Sequence, residues 1–276
     1  MKHKIILFIK SYKPDFLILL KLLESIERFN VDKIPVYLSV NDEDFDFFNE
    51  HIKSKLTLLK DSDIVKCSIQ DPWRYQQIIK SSVYKLQICE DYLCLDSDSL
   101  FITKFYKKDF LYNDSTPYTV MHEAKSFQET MERIGLDSKT LFFKEAVIAT
   151  RKVLNINDTD KIWDYGPSPY LWSTKVWEEI EKSLAKKDKN LETLLMEINE
   201  FSDPSENVIY GEYLRINKPI ELIAIDPFFK VYHYKKQFLL EQKFHKIEKL
   251  NKIYLGVIFQ SNWKRSLFDS IIHLFK

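Results

Sequence analysis

The chain has 276 residues, 45% apolar and 30% charged, enough to bury a substantial core and unlike the composition of a disordered protein. Lysine plus arginine equals aspartate plus glutamate at 41 each, so charge alone gives no argument for nucleic acid or an acidic polymer as a partner. Only four glycines occur, at 135, 166, 211 and 256, which excludes the GxGxxG and Walker loops; any bound phosphate must be held by side chains, helix N-termini or a metal.

Residues 5–9 form a short apolar run that Ser11-Tyr12-Lys13-Pro14-Asp15 breaks. Phe16, Leu19, Leu20, Leu23 and Ile26 then recur at helical spacing up to Phe29. A second strand is predicted over 35–40, a short helix over 45–53 after an acidic loop, and a third strand over 56–59. Asp71 is a candidate N-cap and Pro72 a first helical residue for a helix running through 73–88. Tyr92 to Leu95 reads as the next strand. Such alternation predicts an α/β fold with a mostly parallel central sheet flanked by helices, and ligands at the carboxyl ends of its strands.

Beyond residue 103 the pattern loosens. Helices are predicted near 126–134, 139–154, 174–187, 190–200 and 206–216, and strands near 117–121, 220–225 and 228–234. No repeat or linker divides the chain, so 1–276 reads as one domain with halves 1–103 and 104–276. The C-terminal stretch around Trp263, Lys264 and Arg265 is expected to dock on the core; the alternative is a basic amphipathic helix on a membrane surface. Cys67, Cys89 and Cys94 are odd in number and sparse. With no signal peptide and no span-length apolar run, they point to a cytoplasmic setting.

The sequence DYLCLDSDSLFI carries the strongest chemical signal. D-x-D occurs five times, at Asp42/Asp44, Asp44/Asp46, Asp61/Asp63, Asp96/Asp98 and Asp158/Asp160. Four sit in polar surroundings, whereas an apolar strand delivers Asp96 and Asp98 and an apolar stretch follows them. Two carboxylates at a strand end repel unless a cation neutralises them, and Mg2+ or Mn2+ suits oxygen ligands shared with phosphates. The plainer reading has one Asp capping a turn and the other solvated. The preceding helix presents Gln76 and Lys80 on one face, and Trp73 and Gln77 likewise, as a surface for ribose, diphosphate or sugar, or simply as exposed polar residues.

Together, Trp-x-x-Gln-Gln-x-x-Lys and Asp91 to Asp98 resemble a family of bacterial glycosyltransferases of GT-A type, DUF6492-like proteins associated with capsule, lipopolysaccharide and other surface glycans. The likeness continues in Pro169 to Ser173, in FSDPSENVIYGEY (201–213), in Val231-Tyr232-His233-Tyr234 and in 257–263. The resemblance implies a nucleotide-binding half (1–103), a helical acceptor-side half (104–276), and a metal at Asp96 and Asp98. It implies Gln77 and Lys80 beside the diphosphate, and Glu206 as base or acceptor ligand, the usual second acid being Val208 here. A late histidine, His233, is the candidate third metal ligand. Tyr12 and Asn41, at the ends of the first two strands, are candidates for the nucleotide; Trp172, Ser173 and Tyr210 are candidates for the acceptor. The expected reaction moves a sugar from a nucleotide-sugar donor to a saccharide or lipid-linked acceptor, with no nucleic acid partner. The alternatives are a nucleotidyltransferase or phosphohydrolase, or a non-catalytic carbohydrate-binding relative.

Overall fold

The computed structural model describes residues 2–136, 142–157, 161–242 and 247–259. The Asp158/Asp160 pair and the C-terminal stretch from 260 onward, with its docking or membrane-surface role, lie outside the described residues.

The first half alternates as expected. Strand β1 (His3–Ser11) leads to α1 (Phe16–Phe29), β2 (Val36–Val40), α2 (Phe45–His51), β3 (Thr57–Lys60), α3 (Asp61–Ile64), α4 (Pro72–Ser81) and β4 (Cys89–Asp96). Then follow β5 (Ser99–Phe101), β6 (Leu111–Tyr112), β7 (Thr116–Val120), α5 (Lys125–Arg133), α6 (Phe142–Leu154), β8 (Tyr170–Ser173) and α7 (Thr174–Ala185). The chain continues with α8 (Leu191–Asn199), α9 (Glu206–Asn217), β9 (Ile223–Ile225), β10 (Phe229–Tyr232), α10 (Lys235–Glu241) and β11 (Gly256–Phe259).

The central sheet has the order β3-β2-β1-β4-β8. All its pairings are parallel except β4 with β8. Two three-stranded sheets, β10-β11-β5 and β6-β7-β9, stand beside it. Residues Ile5 to Ile9 are all buried because both faces of β1 are covered, as a central parallel strand requires. Alternation sorts them: Ile5, Leu7 and Ile9 pack with Leu19, Leu22 and Ile26 of α1. Ile6 and Phe8 pack with Ile78 and Ile79 of α4 and with Trp172 and Trp177.

Asp71 caps α4 as its sequence predicts, its carboxylate accepting the Arg74 N–H at 2.8 Å. The helix is shorter than predicted, however, ending at Ser81 instead of running to 88. Ser81, Ser82 and Val83 are weak helix formers, and a tight turn at Val83–Leu86 closes on Gln87 at φ 55° before β4 begins. Register then aligns the strand ends: Lys10 lies opposite both Asp96 and Ser39, and Ser11 opposite Val40. Every polar residue that ends these three strands is thereby delivered to one edge of the sheet.

Candidate active site

A cleft of about 2490 Å³ opens at that edge. Small-molecule pockets are commonly about 300–1,000 Å³, so there is room for two substrates side by side. Its floor is set by α4 and β4. Lys80, 3% exposed, donates from Nζ to Asp96 Oδ1 at 2.5 Å. Burial pulls the lysine pKa down, but Asp96, Cys94 and Glu206 outweigh it and hold the ammonium well above its ordinary value. Asp96 and Asp98 both line the cleft, and between them the Ser97 hydroxyl donates to the Ser11 hydroxyl at 2.9 Å. Gln77 does not join them: it is 1% exposed, and its Nε2 donates to the Pro204 carbonyl at 3.1 Å. It ties α4 to the segment before α9, while Gln76, on the Lys80 face, lines the cleft.

The donor set accommodates a hard divalent ion to the extent of two carboxylates, Asp96 and Asp98. Phosphate and water oxygens would have to supply the rest of the shell, as they commonly do for Mg2+. Among the described residues no group of three or more His, Cys, Asp or Glu side chains is gathered to hold a metal. His233 is not gathered with Asp96 and Asp98 into such a group. It lines the cleft, but its ring meets Phe127 edge-on at 4.9 Å and its backbone N–H donates to Gln237 Oε1 at 3.0 Å. Burial, then Lys230, pushes the imidazole down to about 4, so it is neutral at physiological pH.

Where β1 and β2 end, the organising residue is Lys10, which its apolar strand disguised in the sequence. Its Nζ donates to Ser11 O at 2.8 Å and Asn41 Oδ1 at 2.9 Å, and pairs with Asp61 Oδ2 at 3.0 Å. The Ser39 hydroxyl donates to Asp61 Oδ1 at 2.5 Å. An ammonium has three donors, so Lys10 is saturated and ties β1 and β2 to the start of α3. With its carbonyl oxygen held by Lys10, Asn41 can offer its amide N–H groups to a ligand. Tyr12, 44% exposed, and Trp73, 43% exposed, line the cleft together with Asn41.

The acceptor side departs most from the sequence reading. Glu206 opens α9 and lines the cleft at 7% exposure. Burial raises its pKa, Lys80 opposes that rise, and Asp96 adds to it, so Glu206 belongs electrically to the lysine–aspartate floor. Trp172, Ser173 and Tyr210 do not line the cleft but are buried in the core. Register is the reason. Antiparallel β8 sets Tyr170 opposite Cys94, near the cleft end of β4, and Trp172 opposite Tyr92, two residues deeper. Trp172 stacks on Tyr170 at 5.2 Å and packs against Trp177 at 5.3 Å, while the Ser173 N–H donates to the Tyr210 hydroxyl at 2.8 Å. Tyr170, which the sequence did not single out, is the ring of β8 that lines the cleft. His122 and Asp164 were missed as well, because only a backbone bridge between distant segments brings them together.

Residues 5–253 match the profile of a family described as a family of unknown function, DUF6492. No curated protein matches the chain. Among solved structures it is similar to the apo-form glycosyltransferase GlyE of Streptococcus pneumoniae TIGR4, with a TM-score of 0.54 at 13% identity. That likeness covers 100% of this chain and 60% of the other, so this chain spans less than two thirds of GlyE. At such identity the likeness shows a common fold.

Proposed function

The chain belongs to the DUF6492 family, and from that premise we propose that it is a metal-dependent glycosyltransferase of GT-A type. It moves a sugar from a nucleotide-sugar donor to a saccharide or lipid-linked acceptor in capsule or lipopolysaccharide synthesis. Residues 1–103 hold the nucleotide and 104–276 the acceptor, within one domain. The observation that carries this reading is the buried Lys80–Asp96 pair beside Asp98, at the carboxyl end of a parallel strand and in a cleft large enough for both substrates. The glycosyltransferase fold supports it.

Asp96 and Asp98 would hold Mn2+ or Mg2+, which neutralises charge growing on a departing diphosphate. The chain's own residues do the rest. Lys80, kept charged by Asp96, adds a fixed cation where that negative charge appears, and burial strengthens its effect. Glu206 adds negative charge that favours the charged form of Lys80. Asn41 offers amide donors and Tyr12 an aromatic face to the nucleoside. No described helix is long and apolar enough to cross a membrane; we place the enzyme in the cytoplasm, with its C-terminal stretch available for peripheral contact at the inner membrane face.

A thermal-shift panel of nucleoside diphosphates and nucleotide sugars, with and without Mn2+, tests the proposal. Ligand at about a hundred times Kd stabilises by roughly 2.7 kcal/mol, which for a chain of this size is several degrees in Tm. The expected shift needs Mn2+ and disappears in Asp98→Asn. Turnover should release a nucleoside diphosphate, not pyrophosphate or phosphate. A shift indifferent to both Mn2+ and Asp98 would overturn the metal-dependent reading.

A further inference from the structure

We propose that Asp164 is the carboxylate that receives the acceptor: it holds the attacking hydroxyl beside the Tyr170 phenol and takes its proton. This rests on the transferase reading above and assigns the acceptor side of the same site.

The placement of Asp164 is built, not incidental. His122 and Asp164 exchange backbone hydrogen bonds, His122 N–H to Asp164 O at 3.0 Å and Asp164 N–H to His122 O at 2.9 Å. This joins the segment after β7 to the segment before β8. His122 Nδ1 accepts the Ala124 N–H at 3.0 Å, so the proton of the neutral ring sits on Nε2 and is donated to the Gly166 carbonyl at 2.6 Å. Asp164 Oδ2 lies 3.9 Å from that same Nε2, beyond hydrogen-bond range, so the ring donates to Gly166 and leaves Oδ2 without a hydrogen bond from His122. Its other oxygen, Oδ1, accepts the Gly166 N–H at 2.9 Å. A Cβ on Gly166 would stand 3.3 Å from Asp164 Oδ1 and 3.2 Å from Asn207 Nδ2. The glycine lets the carboxylate settle against the start of α9.

Asp164 lines the cleft with its side chain 15% exposed. Burial raises its pKa above the ordinary carboxylate value, and only His122 and the Gly166 N–H oppose that rise. A carboxylate so poised is a better proton acceptor than a solvated one. The groups around it are few. His122 and Glu123 come from the segment after β7, Glu123 being paired with Lys161 at 2.7 Å. Glu206 of α9, Tyr170 of β8 and Asp96 of β4 line the same cleft. Burial, then the charges of Glu206, Asp96 and Asp164, hold the Tyr170 phenol protonated, and Tyr170 lines the same cleft as all three. Glu206 differs from Asp164 in that the Lys80 cation opposes the rise in its pKa, tying it to the lysine–aspartate floor.

The step balances without a further reactant. The acceptor oxygen bonds to the anomeric carbon of the donor sugar, and the bond from that carbon to the diphosphate oxygen breaks. Its electron pair leaves with the nucleoside diphosphate, and the hydroxyl proton ends on Asp164. A single displacement of this kind inverts the anomeric configuration.

The test compares wild type, Asp164→Asn, Asp164→Ala and Glu206→Gln. The donors are a panel of UDP-, GDP- and CMP-sugars, the acceptors p-nitrophenyl glycosides, and the readout nucleoside diphosphate or monophosphate release. Binding of UDP with Mn2+ is measured on every variant by calorimetry. Asp164→Asn is expected to bind UDP within twofold of wild type and to transfer at least a hundredfold more slowly, within the ~10²–10⁴-fold range of base catalysis. The fall of kcat/KM at low pH seen in wild type should be absent from its residual activity and present in Glu206→Gln. Formate should restore part of the transfer in Asp164→Ala, which separates proton transfer from a folding role. Transfer by Asp164→Asn within threefold of wild type, or a product of retained configuration, overturns the assignment and leaves the transferase reading intact. A wild-type enzyme that releases no nucleotide from any donor overturns both.

Discussion

Lys80 Nζ lies 2.5 Å from Asp96 Oδ1, with the lysine side chain 4% and the aspartate 34% exposed. The pair is asymmetric: the cation is locked in the protein while the anion keeps a face to the cleft. Such a lysine cannot be replaced by an apolar residue without leaving Asp96 and Glu206 to repel each other. Removing one partner of a buried pair costs about 3–5 kcal/mol, and the exposure of Asp96 places this case near or below the lower end. Lys80→Met is expected to lower unfolding free energy by about 2–3 kcal/mol in urea and to weaken UDP binding more than tenfold. Lys80→Met/Asp96→Asn should recover most of the stability and none of the binding.

Trp172 and Tyr170 share one face of β8 but sit at different depths, and they should separate stability from recognition. Trp172→Ala removes a ring packed on four sides by Tyr92, Tyr170, Trp177 and Tyr210. It should cost about 3–5 kcal/mol. Tyr170→Phe removes only a hydroxyl at the cleft and should raise acceptor KM with little change in Tm. Steady-state kinetics with thermal melts decides between these roles, and an unchanged acceptor KM in Tyr170→Phe would return the ring to the core.

Gly211 lies within α9, where alanine would ordinarily gain about 1 kcal/mol in helix propensity. Its Cβ position is 2.1 Å from Tyr165 Cδ1 and 2.3 Å from Cγ, so the ring must move. That ring is not loose, since the Tyr165 hydroxyl donates to Glu212 Oε1 at 2.9 Å and Arg151 Nε donates to Glu212 Oε2 at 2.8 Å. Overpacking costs about 1–3 kcal/mol and outweighs the helix gain. Gly211→Ala should therefore destabilise. Denaturation showing equal or greater stability would disprove the contact.

Asp91 is a carboxylate buried at the start of β4, and burial pushes it up to about 7, against the Ser173 hydrogen bond and Lys4. In the unfolded chain it titrates near 3.8. Between those values the folded state holds the extra proton. Stability from this group is therefore full below about 4, falls as pH rises to about 7, and stays lost above it. Asp91→Asn removes that dependence. The Tm difference between variant and wild type should be near zero at pH 4, positive at pH 8, and rising between; a difference flat in pH would exclude a raised Asp91.

The strands and helices of the first half were legible because each is long and carries its own period. Apolar residues 5–9 announced a buried strand, and the Asp71-Pro72 pair announced a helix start. Lengths were less legible: α4 stops at Ser81, where a second serine and a valine follow, although its apolar spacing runs on. The short strands β5, β8 and β11 escaped notice because three or four residues carry no readable period. Within the site, Asp96, Asp98, Lys80, Tyr12 and Asn41 were readable from strand ends and helix spacing, and the structure brings them to one cleft. Gln77, Trp172 and Tyr210 are motif residues of a kind that sequence cannot separate from site residues, since core and cleft draw on the same side chains.

By itself the sequence determined the alternating layers, the acid pair at the end of the fourth strand and the lysine one helix before it. These depend on interactions within a strand, a helix turn or a cap, all local along the chain. Tertiary structure alone decided which neighbour of each motif faces the cleft: Tyr170 over Trp172, Gln76 over Gln77, and Asp164 brought against His122 across forty-odd residues of chain. Those choices follow from register and side-chain direction between segments far apart in sequence. A one-residue slip in the β4–β8 pairing would carry Tyr170 and Trp172 together to the opposite face without changing any local pattern.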